Sequence, residues 1–238
     1  MTRQHFHEQL EHVELQLLSM GELATTAIQR SVAALVEQDE ATAVQVIADD
    51  DPIDALYLEI DHDVLQMLAL QSPVATQLRL VSAILHSCLH LERIGDQAVN
   101  IAKLFLATKD LPTSRGLLLQ LDEMGSHVVG MIRTAMEAFR TRDLELCLKL
   151  PKMDDPVDRL NRATHLEALK LADDPGSLEW GLHMNLVARA LERVGDNAVD
   201  IGEQVAFLIT GEYREFTDAS HDVVEPEGSR TAQGPGAL

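Results

Sequence analysis

Two stretches of the chain carry acids where a helix would ordinarily carry alanine or leucine. They read LERIGDQAVNIA at 91–102 and LERVGDNAVDIG at 191–202. Residues four apart share one face of a helix, so Glu92 with Asp96, and Glu192 with Asp196, each present two carboxylates together. Asn100 and Asp200 add a polar position one turn further on. A second acidic spacing recurs in the runs ADDDPID and KMDDPVD, which set Asp50 with Asp54 and Asp154 with Asp158. Carboxylates gathered at one place repel: at about 5 Å and an effective dielectric near 20, each pair costs roughly 3 kcal/mol. Protonation, neighbouring arginines or bound cations must offset that. Oxygen-only donors suit Mg, Mn, Ca or Fe better than they suit a cysteine-rich zinc site.

Acids can gather only if helices bring them to one depth. The sequence matches itself at an offset of 104, where Met20, Gly21, Asp39, Asp50, Asp51, Pro52 and Asp54 meet Met124, Gly125, Asp143, Asp154, Asp155, Pro156 and Asp158. The offset becomes 100 for LERIGD and LERVGD. The chain is therefore one unit written twice. Apolar residues recur at three and four, as in Leu17, Met20, Leu23, Ala24, Ala27 and Ile28, which predicts helices. The expected segments are 4–38, 40–72 and 74–107, then 115–141, 143–173 and 176–210. Asp39 is a predicted cap, and Pro73 and Pro175 are predicted helix starts. Strand signals are nearly absent. The expected fold is all-α: two tandem three-helix bundles, over 1–110 and 111–211, with KDLPTSRG as the link and a polar, loose tail over 212–238.

Counting outward from each turn fixes the levels. Asp54 and Glu92 each lie 19 residues from Pro73, and Asp50 and Asp96 each lie 23. Around Pro175 the counts are 17 for Asp158 and Glu192, and 21 for Asp154 and Asp196. Equal counts mean equal height at about 1.5 Å per residue. The second hairpin is shorter by two residues per arm, yet its acids stay level. This register marks Asp50, Asp54, Glu92 and Asp96, and Asp154, Asp158, Glu192 and Asp196, as candidate metal ligands.

Other readings compete. Asp51–Pro52 and Asp155–Pro156 look like helix starts with an acid in the first turn, or like proline kinks in a longer helix. Arg93 and Arg193 read as surface partners for acids. Glu59 with His62 has the Glu-x-x-His spacing of a di-iron ligand pair, but the second copy has Ala163 and Leu166 there. Cys88 and Cys147 sit in apolar helical pattern without zinc spacing and read as buried thiols.

With 19 basic and 39 acidic residues the net charge is −20, which repels nucleic acid and anionic lipid. There is no apolar leader at the N-terminus and no run long enough to cross a membrane. A cytoplasmic protein without membrane insertion is expected. No phosphate-cradling glycine loop, nucleophile elbow or HExxH motif occurs.

The segments ALQSPVATQLRLV and LHLERIGDQAVNIA resemble the PhoU family of phosphate-uptake regulators, and the resemblance runs over about 5–211. It implies two three-helix bundles and multinuclear iron or zinc clusters on the acidic motifs, with Asp200 joining the second set. It also implies a non-enzymatic negative regulator that couples a phosphate ABC transporter, through its ATPase subunit, to a sensor histidine kinase. A homodimer is expected. The metal could be Fe, Zn, Mn or Mg. The chain departs from the family pattern at Asn100, opposite Asp200, at DDPGSLEWGLHMNL with His183 near the place of Arg79, and at Pro52 and Pro156. Rival readings are a carboxylate-bridged metal enzyme on a helical bundle and a metal-free helical scaffold.

Overall fold

A computed structural model describes residues 3–71 and 73–216. Among them are eight α-helices and no strand. The first repeat comprises α1 (Arg3–Glu37), α2 (Glu40–Ala48), α3 (Asp51–Gln71) and α4 (Thr76–Thr108). The second comprises α5 (Arg115–Thr141), α6 (Leu144–Cys147), α7 (Leu150–Leu169) and α8 (Pro175–Thr210). The middle rod of each predicted bundle is thus made of two pieces. Each half is a three-rod, up-down-up bundle, and the two halves pack on one another through α4 against α8 and α1 against α5.

Local chemistry sets the element ends. The Asp39 carboxylate accepts from Ala41 N (3.0 Å) and Thr42 N (3.1 Å) and starts α2. Asp143 does the same for α6, accepting from Glu145 N at 2.8 Å. Both caps satisfy donors that a helix start leaves unpaired. Just before them, Gln38 (φ 59) and Arg142 (φ 55) take left-handed conformations that end α1 and α5. Asp174 caps α8 through Ser177 N, 2.8 Å, and Pro175 follows as expected. Pro73 does not start α4: that helix begins at Thr76, after Ala75 at φ 48.

The two Asp-Pro steps are used differently. Asp50 takes the cap position of α3, its carbonyl accepting from Ile53 N at 2.9 Å, and Pro52 falls in the first turn. In the second repeat the break comes earlier, at Leu148–Lys149, and Pro156 lies inside α7. The helix-start reading therefore holds for the first copy and fails for the second, where Pro151 rather than Pro156 serves the helix start.

The halves meet about an internal pseudo-twofold axis, since contacts between equivalent positions are reciprocal. Gly21 and Gly125, equivalent in the two copies, lie at the α1–α5 crossing. A Cβ on Gly21 would stand 2.9 Å from Met136 Cε, and one on Gly125 would stand 2.8 Å from Val32 Cγ1. Val32 and Met136 are themselves equivalent positions. Glycine is needed here for close approach of two rods, since every position is helical. Near the axis, Arg133 donates to Gln29 Oε1 (3.3 Å), again between equivalent positions.

Antiparallel α4 and α8 form the other crossing. Arg79 Nε donates to Leu208 O at 3.4 Å near one end. Towards the middle, His90 Nδ1 donates to Asn197 Oδ1 (2.8 Å) and lies 3.4 Å from Asp200 Oδ2. The core runs unbroken through both halves, from Leu17, Ile28, Ile84 and Leu91 to Met131, Phe139, Trp180 and Leu191. Cys88 and Cys147 are buried free thiols within it, and burial pushes them up to about 12 and about 11.

The segment after α8 is not loose from residue 212 onward. Phe216 is partly buried against the core, so the tail boundary expected at 212 lies further along. Residues 217–238 of the expected tail lie outside the described residues.

Candidate functional site

Each α3–α4 or α7–α8 hairpin carries one acidic face. In the first repeat, Asp50 at the head of α3 lies over Gly95 of α4: its Oδ1 would be 3.4 Å from a Cβ at that glycine, beside Asp96. Burial raises the Asp50 carboxyl above its ordinary range, and the charges of Asp54, Asp96 and Asp51 raise it further. Burial likewise raises Glu92, reinforced by Asp96, Asp54 and Asp50. The four acids marked from sequence thus face one another across the hairpin. The cations acting on them are Lys103, which opposes the shift of Asp50, and Arg93, which opposes that of Glu92. Asp54 and Asp96 are exposed, and Asp50 and Glu92 are partly buried.

In the second repeat the same meeting is tighter. Asp154 is buried on α7 and sits directly against Gly195 of α8, where an added Cβ would overlap its Oδ1. Glu192 is raised by burial first and then by Asp196, with Asp158 adding to the effect. Arginines occupy this face. Arg189 pairs with Glu192 one turn away, and Arg162 stands 3.9 Å from Asp158. Asp200 is split between two roles: it contacts His90 of the other repeat, and it lines a cleft of about 220 Å³ with Asp154, Asp196 and Glu203. Burial raises the Asp200 carboxyl, against the opposing charges of His90 and Arg93.

The donor set and the room left by Gly95 and Gly195 fit a hard cation, which takes several oxygens and tolerates irregular geometry. In the present side-chain arrangement, however, no three carboxylate, imidazole or thiol groups among the described residues stand close enough to share one ion. A bound metal would have to draw the acids inward and, on the second face, displace Arg189 and Arg162.

Several residues that shape the site were not marked from sequence. Arg189 and Arg162 follow the ordinary three- and four-residue spacing to an acid, so they were findable. Glu203 continues the Asp196–Asp200 face by three residues. It was hidden because the first copy has Lys103 there. His90 and Asn197 belong to packing between repeats, which periodicity within one helix does not reveal. Glu59, weighed as a metal ligand, instead accepts from Gln16 at 3.2 Å.

No described helix is long and apolar enough to cross a membrane. Comparison with known proteins accords with the duplicated architecture. The sequence profile described as PhoU domain matches twice, over residues 17–105 and 121–205. A phosphate-specific transport system accessory protein PhoU homolog of Pseudomonas putida is 34% identical over 219 residues, covering 92% of this chain and 84% of that protein. The homolog of that name from Clostridium acetobutylicum is 34% identical over 222 residues, 92% of this chain and 100% of its own. Among solved structures, PhoU from Pseudomonas aeruginosa superposes with a TM-score of 0.81 at 33% identity, covering 87% of this chain and 100% of that one. The phosphate transport system regulatory protein PhoU from Streptococcus pneumoniae gives 0.81 at 28% identity, covering 88% and 99%. With both repeats matched and relatives aligned over nine-tenths of its length, this chain belongs to the PhoU family.

Proposed function

We propose that this protein is a non-enzymatic accessory regulator of phosphate-specific transport, restraining uptake and the phosphate-starvation response when phosphate is plentiful. It does so by docking on the ATPase subunit of a phosphate ABC transporter and on a sensor histidine kinase. The observation that carries the reading is full-length similarity to proteins named as accessory proteins of that transport system. A cytoplasmic location and a homodimer belong to the same proposal.

The acidic faces have a place in it. Asp50, Asp54, Glu92 and Asp96 would hold metal on the first face, and Asp154, Asp158, Glu192, Asp196 and Asp200 on the second. A divalent or iron-type ion would supply positive charge to a molecule of net charge −20. It would also tie α3 to α4 and α7 to α8. Residues of this chain shape both faces. Gly95 and Gly195 admit the facing carboxylates, and Arg189 and Arg162 partly neutralise the second set.

The test is genetic. Deleting the gene in its native host should switch on a phosphate-starvation reporter in phosphate-rich medium, and returning the gene should silence it. Repression that survives the deletion would sink the regulatory reading. Repression restored equally well by a chain lacking Glu92 and Glu192 would separate regulation from metal.

A further inference from the structure

The end of the α3–α4 hairpin is apolar, exposed and almost free of charge. Leu70 is 58% exposed, Val74 70% and Leu78 47%, all close to the turn. Between Asp63 and Glu92 the sequence holds a single Lys, Arg, Asp or Glu, namely Arg79. That guanidinium is engaged by neutral oxygens, Leu208 O at 3.4 Å and Thr76 Oγ1 at 3.3 Å. The equivalent stretch of the second copy, between Glu167 and Glu192, holds Lys170, Asp173, Asp174, Glu179 and Arg189. Exposed Leu169 and Leu182 there stand among charges, as surface leucines usually do. On a chain of net charge −20, an uncharged leucine-rich tip marks an interaction surface. A cleft of about 240 Å³ lies between the first turns of α1 and α3, lined by Glu8, Gln9, His12, Val13, Asp63 and Met67. Asp63, Met67 and Leu70 follow one another at four and three residues and share a face of α3, so this wall of the cleft leads up to the tip. The α1 wall has no counterpart in the second repeat. α5 begins at Arg115, the equivalent of Glu11, whereas α1 begins at Arg3.

We propose that this cleft and the tip above it dock a basic amphipathic helix of a protein partner. The inference rests on the docking role proposed above and gives that role a place on the molecule. Charge complementarity selects the occupant. Glu8 on the α1 wall and Asp63 on the α3 wall receive Lys or Arg side chains of the helix, while its apolar face covers Leu70, Val74 and Leu78. An uncharged tip is covered without stripping water from ions, whose desolvation is costly. The cleft acids steer the approach and set the register, and the mode is that of an amphipathic helix laid in a groove. Anionic lipid, and a second copy of this chain with its own charge of −20, are repelled by the same acids. The turn itself is strained: Ala75 holds φ 48 and ψ −117, and α4 starts without a side-chain cap. Strain of this kind gathers where a segment binds. The second tip, which Asp174 caps at φ −122, shows none.

The experiment measures binding of the full-length protein to two purified probes, the ATPase subunit of the host's phosphate transporter and the cytoplasmic part of its sensor kinase. Val74→Asp and Leu78→Asp change exposed side chains, so the fold should survive them. Each should weaken binding to at least one probe by about tenfold or more, the scale of a lost apolar anchor. Leu182→Asp, at the second tip, should leave binding unchanged. Glu8→Lys combined with Asp63→Lys should slow association and reduce its dependence on salt. Hydrogen exchange on the bound probe should protect a helix carrying Lys or Arg beside an apolar stripe, and protection of an acidic segment instead would overturn the proposal. Wild-type binding that none of the first-tip variants alters would overturn this surface and leave the docking role standing. A wild type that binds neither probe would overturn both. Val74-dependent binding to phosphatidylglycerol vesicles, or Val74-dependent self-association, in place of probe binding would overturn the helix as occupant.

Discussion

A methyl group on Gly195 would overlap Asp154 Oδ1, whereas one on Gly95 would meet chiefly the flexible end of Ile53 at 3.0 Å. Gly195→Ala is therefore expected to destabilise the protein by about 1–3 kcal/mol, the usual cost of overpacking, and Gly95→Ala by less than about 1 kcal/mol. Urea denaturation of the two variants checks this, and equal losses would contradict the tighter second face. Arg189 competes with any cation for Glu192, so Arg189→Gln should raise manganese affinity at the second face, measured by titration in the Glu92→Ala background. The pH dependence follows from the raised carboxyls. Asp50, Glu92 and Glu192 all lie above their ordinary values, because burial and then neighbouring acids penalise the charged form. The unfolded chain therefore releases these protons first as pH rises. Their stabilising contribution is present below the ordinary carboxylate range and is lost as pH climbs through the raised values. Metal-free protein should melt at a higher temperature near about pH 5 than near about pH 7.5. Thermal scans in chelator that give the reverse order would contradict the account. The candidate acids themselves were legible, because spacing of four and matched counts to a turn are sequence properties. Their arginine partners and Glu203 were visible too, but copy-to-copy comparison hid them, since each differs between the repeats.

The breaks after α1 and α5 are marked by aspartates rather than by glycines, unlike the end of α8, which Gly211 closes at φ 76. Gln38 and Arg142 hold the left-handed positions that close α1 and α5, where glycine would be the common choice. The sequence signal for those breaks is thus the following residue, Asp39 or Asp143, whose carboxylate caps the next helix. Asp39→Ala should cost about 1 kcal/mol and loosen α2, read as faster amide exchange over 40–48. Unchanged exchange there would show that packing alone holds α2. The middle rods were less legible. A continuous helical period runs through 40–72 and 143–173, and nothing in it distinguishes a break at Asp49–Asp50 from one at Leu148–Lys149. Pro52 and Pro156 are equivalent in sequence but not in structure, because Pro151 offers the second repeat an earlier start. Pro73 misled for a related reason: the chain needs Ala75 in an uncommon conformation before α4 can begin.

At the scale of the molecule, duplication makes two bundles that are not independent bodies. α4 and α8 share one buried crossing, α1 and α5 another, and the His90–Asn197 bond lies within the first. A fragment of residues 1–110 alone would expose the core-facing stripes of α1 and α4. It should aggregate or bind hydrophobic dye, whereas mixing it with residues 111–238 should suppress both. A fragment that stays monomeric with a sharp thermal transition would argue against this shared core. The three-rod repeat could be read from sequence, since each rod carries its own period. How the halves dock could not, because Gly21 against Met136 and Gly125 against Val32 are contacts between copies. The central claim is that each hairpin gathers its acids to hold cations. It is tested most directly by elemental analysis of protein stripped with chelator, reloaded with iron, manganese or zinc, and desalted, for the wild type, Glu92→Ala, Glu192→Ala and the double variant. The account predicts that each single variant loses part of the bound metal and the double variant nearly all of it. Wild-type metal content in the double variant would contradict it.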